Sequence, residues 1–227
     1  VGASGAGKDH VTAEVAANGE ALSFSYDTDP TDNAELPQDL RDADKVKMII
    51  TITYADGFTD EQAVDPLSRL RYRIRSDGAA TEAMRYDLDV SGRLTAVTYP
   101  DGRKTRYIYK TGYNPDTDAE SGDATDYPSY EVIEYTDGGT QRRMLTRYTY
   151  GVTGFPALPL TKVVYKVGDN DDVANGVEGA DKFTTDFAYN SDGTLKYQVQ
   201  PKVNGLLPGE EDAKDYRLGA EYTYNAS

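Results

Sequence analysis

Apolar and polar residues alternate along most of this chain with a period of two, the spacing of a half-buried β-strand. Met48, Ile50, Ile52 and Tyr54, with Val46 before them, share one face of an extended segment. Leu70, Tyr72 and Ile74 share a face of the next, with Arg69, Arg71, Arg73 and Arg75 opposite. The pattern returns at Met144, Tyr148 and Tyr150, at Val163 and Tyr165, at Phe183, Phe187 and Tyr189, at Leu195, Tyr197 and Val199, and at Leu218, Tyr222 and Tyr224. Asp-Gly turns follow tyrosines at Gly57, Gly102, Gly138 and Gly193. Helical signal is confined to single turns at Pro37–Asp44 and at Asp60–Val64, where Thr59 is a candidate N-cap. The fold class is therefore all-β, an antiparallel meander of hairpins forming either a curled sheet or an up-and-down barrel.

Turn chemistry and face matching predict the central register. A five-residue loop from Asp77 to Thr81 sets Ile74 against Met84, Tyr72 against Tyr86 and Leu70 against Leu88. Arg71 then meets Asp87, and Arg69 meets Asp89. A two-residue loop at Ser91 and Gly92 sets Tyr86 against Val97. A three-residue loop at Pro100, Asp101 and Gly102 sets Val97 against Thr105. Three longer connections, Asp27–Asp44, Thr111–Ser129 and Val167–Asp181, lack apolar periodicity and read as exposed loops. None reads as an interdomain linker, so the expected organisation is a tail at residues 1–10 and one domain over 11–227.

The 227 residues carry a formal charge of -15, which repels nucleic acid and anionic lipid. No run reaches the length of a membrane helix, so the chain is expected not to span a membrane by helices. Without Cys there is no disulfide framework and no thiolate chemistry. The small, Gly-rich stretch Val1–Gly7 reads as a tether or a trimmed tail and favours an exported protein.

Tyr86 and Asp87 followed by Ser91, Gly92, Arg93 and Leu94, then Asp101, Gly102, Tyr107 and Tyr109, resemble the YD repeat of Rhs and teneurin-type shells. Tyr189 and Asn190 with Asp192, Gly193 and Leu195 do so again. In length, tyrosine content and module spacing, from about Val11 to Tyr224, the chain also resembles exported, often lipid-anchored Bacteroidetes proteins that carry a domain of unknown function. That second resemblance implies a porin-like β fold at the cell surface or in the periplasm, and brings no functional residues with it.

Chemistry-bearing motifs are few. The Gly2–Lys8 segment has phosphate-loop spacing, but Asp9 stands where a metal-binding hydroxyl belongs and no strand precedes it. His10 is the only histidine, which rules out a multi-histidine metal site and leaves it as the one base a serine triad could use. Paired carboxylates need neither, so the enzymatic alternative is a carboxylate-dependent glycoside hydrolase.

Asp116, Asp118 and Glu120, and Asp169, Asp171 and Asp172, supply hard oxygen ligands at alternating spacing and make calcium the one cofactor to consider. Neither loop fits the twelve-residue calcium pattern, since Gly122 comes a position late and Tyr127 sits where a bidentate Glu belongs. Arg69, Arg71, Arg73 and Arg75 are candidate ligands for an anionic partner such as an acidic glycan, with cross-strand pairing to Asp87 and Asp89 as the structural alternative. The 19 tyrosines suit a sugar-stacking surface, yet serve equally as strand formers on a half-buried face. The sequence thus favours a non-enzymatic binding or scaffold component whose partner is a glycan or another surface protein.

Overall fold

A computed structural model describes residues 13–15, 21–30, 33–42, 44–114, 117–165, 182–200 and 218–221. Among the described residues sixteen β-strands and a short 3-10 turn at Gln38–Leu40 are defined. In chain order the first eight strands are β1 (Ala13–Val15), β2 (Ala21–Asp27), β3 (Met48–Thr53), β4 (Thr59–Val64), β5 (Leu70–Ser76), β6 (Thr81–Leu88), β7 (Leu94–Thr98) and β8 (Lys104–Ile108). They are followed by β9 (Lys110–Asn114), β10 (Ala119–Ala124), β11 (Tyr130–Asp137), β12 (Thr140–Tyr150), β13 (Pro159–Tyr165), β14 (Lys182–Tyr189), β15 (Leu195–Gln200) and β16 (Leu218–Glu221). The main strand order runs from β1 to β8 and then from β11 to β16, while β9 and β10 form a separate two-stranded sheet. Among the described residues the order is linear, with no pairing of its first strand to its last, as in the curled sheet and not the barrel of the two expectations.

Packing divides the chain into two compact units, Val1–Lys104 and Thr105–Ser227. In the first, β2 to β7 pair in sequence, each antiparallel to the next. Its buried cluster joins Ile49 of β3 and Ala63 of β4 to Leu36, Leu40 and Val46 of the connection before β3, with Tyr72 packed alongside. That connection was expected to be an exposed loop. Instead Leu36 and Leu40 are buried, Leu40 to 1% exposure, because the 3-10 turn at Gln38–Leu40 folds the segment's few apolar residues onto the sheet. Asp60–Val64, a candidate helical turn by sequence, is strand β4 throughout.

The second unit buries Ile108, Tyr130, Val132 and Leu145, with Tyr113 and Tyr165 packed against them. Here too an expected loop has structure. Within Thr111–Ser129 the β9 and β10 strands form a hairpin, and Tyr113 lays its ring on that of Tyr130 with centroids 5.8 Å apart. The third expected loop, Val167–Asp181, lies outside the described residues, as do residues 1–10.

One turn geometry recurs five times among the described residues. The residue before the turn donates its N–H to a carbonyl four residues on and accepts the N–H three residues on, at Tyr54/Phe58, Asp65/Arg69, Asp89/Arg93, Tyr99/Arg103 and Asn190/Thr194. The fourth residue of each is left-handed: Gly57, Gly92, Gly102 and Gly193, with φ between 82° and 86°, and Ser68 at φ 61°. This is a three-residue loop with a left-handed last residue. It confirms the loop expected at Pro100–Gly102, whereas the loop ending at Gly92 holds Val90, Ser91 and Gly92 rather than two residues.

An aspartate braces every copy, by one of two wirings. At Asp65 and Asp89 the carboxylate opens the turn, where Oδ1 accepts the N–H of the second and fourth residues on. Oδ2 of each then takes the Nε–H of Arg69 or Arg93 at 2.7 Å. At Asp56, Asp101 and Asp192 it lies inside the turn and accepts the N–H two residues later.

The register across β5 and β6 differs from the expected one by a single residue. Tyr72 faces Arg85, Arg73 faces Met84 and Ile74 faces Ala83. The loop is four residues long, because Asp77 Oδ1 accepts the N–H groups of both Ala79 and Ala80 and closes it before Thr81. One residue of slip exchanges the faces of a strand. Arg73 and Arg75 therefore share a face with Ile50, Ile52, Met84 and Tyr86, while Tyr72 and Ile74 share theirs with Ile49, Ala63 and Arg85. The expected partition into an apolar and a charged face does not exist here. Across β6 and β7 the expected pairing of Tyr86 with Val97 is present.

Candidate functional site

The four arginines of the β5 region are each placed differently. Arg69 sits at the end of the β4–β5 turn, its guanidinium on the Asp65 carboxylate, which is 2% exposed. Burial pushes the Asp65 carboxyl up, but hydrogen bonds from the backbone and side chain of Arg69 outweigh it and hold the group below its ordinary range. Arg71 reaches towards the same carboxylate at 4.0 Å. Its Nε is buried without a hydrogen-bond partner.

Arg73 forks onto Asp60 of β4, Nε to Oδ1 at 2.8 Å and Nη2 to Oδ2. Asp60 is 1% exposed. Its carboxyl is held below the usual range chiefly by that hydrogen bond, against the opposing effect of burial. Arg75 lies 5.6 Å from the centre of the Phe58 ring. Phe58 in turn meets Tyr54 edge-on at 5.3 Å.

The predicted Arg71–Asp87 and Arg69–Asp89 pairs are absent, because the slipped register separates them. Asp87 pairs with Arg85 on its own strand, and Asp89 pairs with Arg93 across its turn, each at 2.7 Å.

Of the predicted calcium ligands, Asp118 lies at the β9–β10 turn with Oδ1 accepting from Arg106 and from the Tyr113 hydroxyl at 2.8 Å. Burial raises the Asp118 carboxyl, but these bonds prevail and hold it below its ordinary range. Burial, and then the same bond, push Tyr113 up to about 12. Glu120 is exposed, opposite Tyr113 on β10. Asp116, Asp169, Asp171 and Asp172 lie outside the described residues, as do His10 and the Gly2–Lys8 segment. Among the described residues no group of three or more His, Cys, Asp and Glu side chains is placed to hold a metal ion.

Two arrangements escaped the sequence reading. In the first unit a crevice is lined by Asn33, Leu36, Ile49, Glu61, Ala63, Tyr72 and Ile74. Burial, and then the charge of Glu35, push the Glu61 carboxyl above its ordinary range. The available signal was Glu61 at a position that alternates with Ala63, which places it on the Ile49 face once the register is known. In the second unit Tyr148 stacks on Tyr150 at 6.5 Å, and Tyr150 meets Tyr127 at 5.6 Å. The Tyr148 hydroxyl donates to Glu131 at 3.0 Å, and Lys162 lies over its ring at 5.9 Å. Burial first, then Glu131, raise Tyr148 well above the ordinary tyrosine range.

This geometry defines an all-β antiparallel protein in which several Asp–Arg pairs fasten strands and turns. Residues 89–112 match the family model described as the RHS Repeat, from the opening aspartate of the β6–β7 turn to Gly112 of β9. This match overlaps the first of the two YD motifs and supports its resemblance to the Rhs repeat. No curated protein matches the chain. Among solved structures it is similar to a chain of the TcdB2-TccC3 crystal structure determined without the hypervariable C-terminal region, at 13% identity and a TM-score of 0.32. The similarity covers 92% of this chain and 11% of that one. No helix among the described residues is long and apolar enough to cross a membrane.

Proposed function

We propose that this chain is a non-enzymatic scaffold or binding component of Rhs type, exported and anchored at a bacterial surface, whose partner is a glycan or another surface protein. The observation that carries the reading is the Rhs repeat at residues 89–112 beside turns and strands in which aspartates and arginines are paired with one another. Side chains spent on holding hairpins leave few for chemistry. In this reading the exposed Arg75 is the member of the arginine set left to meet an anionic partner, since Arg69 and Arg71 lie against the buried Asp65 carboxylate and Arg73 against that of Asp60. A net charge of -15 argues against nucleic acid as the partner.

Glycan-array binding tests the proposal. A saturable signal weakened by Arg75→Ala supports the anionic-glycan form, and a saturable signal unchanged by that substitution moves the partner site elsewhere. The rival reading is the glycoside hydrolase, favoured by the raised Glu61 carboxyl with Glu35 near it. Turnover of any member of a chromogenic glycoside panel that is abolished by Glu61→Gln would establish the hydrolase and overturn the scaffold. The expected result is no turnover.

A further inference from the structure

Segment 33–42 lies over the first unit's sheet and is fastened at one end by a charged clasp and confronted at the other by an acid, Glu61, that no described residue pairs. The clasp is Asp39, whose carboxylate takes both terminal nitrogens of Arg85, at 3.1 and 2.7 Å. The segment is stiffened within itself by Arg41, whose Nε and Nη2 donate to the carbonyls of Leu36 and Ala34 at 2.9 Å each. Asn33 Oδ1 accepts the N–H groups of Glu35 and Leu36. Leu36 and Leu40 supply the apolar contact.

Under the other end sits Glu61. It is half-buried in the crevice that Asn33 and Leu36 close from above. Among the described residues it has no hydrogen bond and no ion pair, unlike Asp60 and Asp65 on the same strand and turn. The described positions that face it across the sheet from β3 and β5 carry no cation. Facing it from β3 are Ile49, Thr51 and Thr53, and from β5 Tyr72, Ile74 and Ser76, of which Tyr72 alone titrates and is itself raised by burial. One strand further, Arg85 is held by Asp39 and Asp87. The segment brings Asn33 and a second acid, Glu35. Closing the segment therefore strips water from a carboxyl, gives it no partner and adds a like charge, a cost that exists only when Glu61 is ionised.

We propose that segment 33–42 is a proton-set latch, closed over the sheet while Glu61 is protonated and Asp39 is charged, and loosened as Glu61 ionises. Opening uncovers Ile49, Ala63 and Tyr72, an apolar patch on an otherwise acidic protein. The two carboxylates work in opposite senses. Acid strong enough to discharge Asp39 undoes the clasp, and neutral pH undoes the seat, so closure is tightest between them.

The test is amide hydrogen exchange of the intact chain, corrected for intrinsic rates, at about pH 5 and about pH 7.5. Protection of Leu36, Leu40 and Arg41 relative to Val97 of β7 should fall on going to the higher pH, by roughly tenfold for each unit by which closure raises the affinity of Glu61 for its proton. In Glu61→Gln the fall should vanish and protection should stay high. Asp39→Asn should lower protection at both pH values. Should Glu61→Gln fail to fold, Glu35→Gln serves in its place and should shrink the fall. Equal wild-type protection at the two pH values, or the same fall persisting in Glu61→Gln or undiminished in Glu35→Gln, overturns the latch.

Discussion

Asp60 is 1% exposed, and Arg73 is what makes its charge tolerable there. A buried carboxylate whose ion-pair partner is removed keeps its desolvation cost and loses most of the compensating attraction, here leaving the bond from Gln62 and the charge of Arg75. Arg73→Ala should therefore cost about 3 kcal/mol, the lower end of the range for broken buried pairs, because Arg73 itself is 28% exposed. Urea denaturation measures it, and a loss near zero would mean that water reaches Asp60. Asp60→Asn should soften the effect of Arg73→Ala, since the neutral amide needs no cation. None of this was legible in the sequence. There, Arg73 belonged to a row of four arginines and Asp60 to a candidate helical turn, and it is the pairing of β4 with β5 that brings the two together.

At the level of the elements, alternation and turn residues placed β3, β5, β6, β7 and β12 and the turn at Gly102, because period-two burial and a left-handed glycine leave local marks. Two kinds of feature left none. Loop length between β5 and β6 was decided by the Asp77 side chain closing the turn before Thr81, and one residue was enough to move Arg73 beside Met84. The segment over β3 and β4 buries Leu36 and Leu40, too few apolar positions to mark a period, so a polar-looking connection concealed part of the first unit's buried cluster. Such segments also shape the response to pH. Asp39, Asp60, Asp65 and Asp118 are held below their ordinary value of 3.8, so their stabilisation is present above it and lost as pH falls through the lowered values. Glu61 is raised above its ordinary 4.5, so its contribution is complete below that value and lost as pH rises through the raised one. Stability to urea should accordingly peak in the mildly acidic range, and a steady climb to neutral pH would contradict this balance.

For the whole molecule, the sequence reading of residues 11–227 as one domain stands beside two compact units by packing. We expect a single cooperative thermal transition, with circular dichroism and calorimetry agreeing on its midpoint. Two resolved transitions would instead give each unit its own stability. The turns described above bear on how such a chain comes to exist at all. Each is closed by its own backbone and its own aspartate, whether at its first position or inside it, and Ser68 shows that even the glycine is dispensable. A hairpin of this kind brings its own instructions for reversing direction. Copying or deleting one lengthens or shortens the sheet without renegotiating the rest, so the lineage of this protein can vary in strand number far more freely than a closed barrel could.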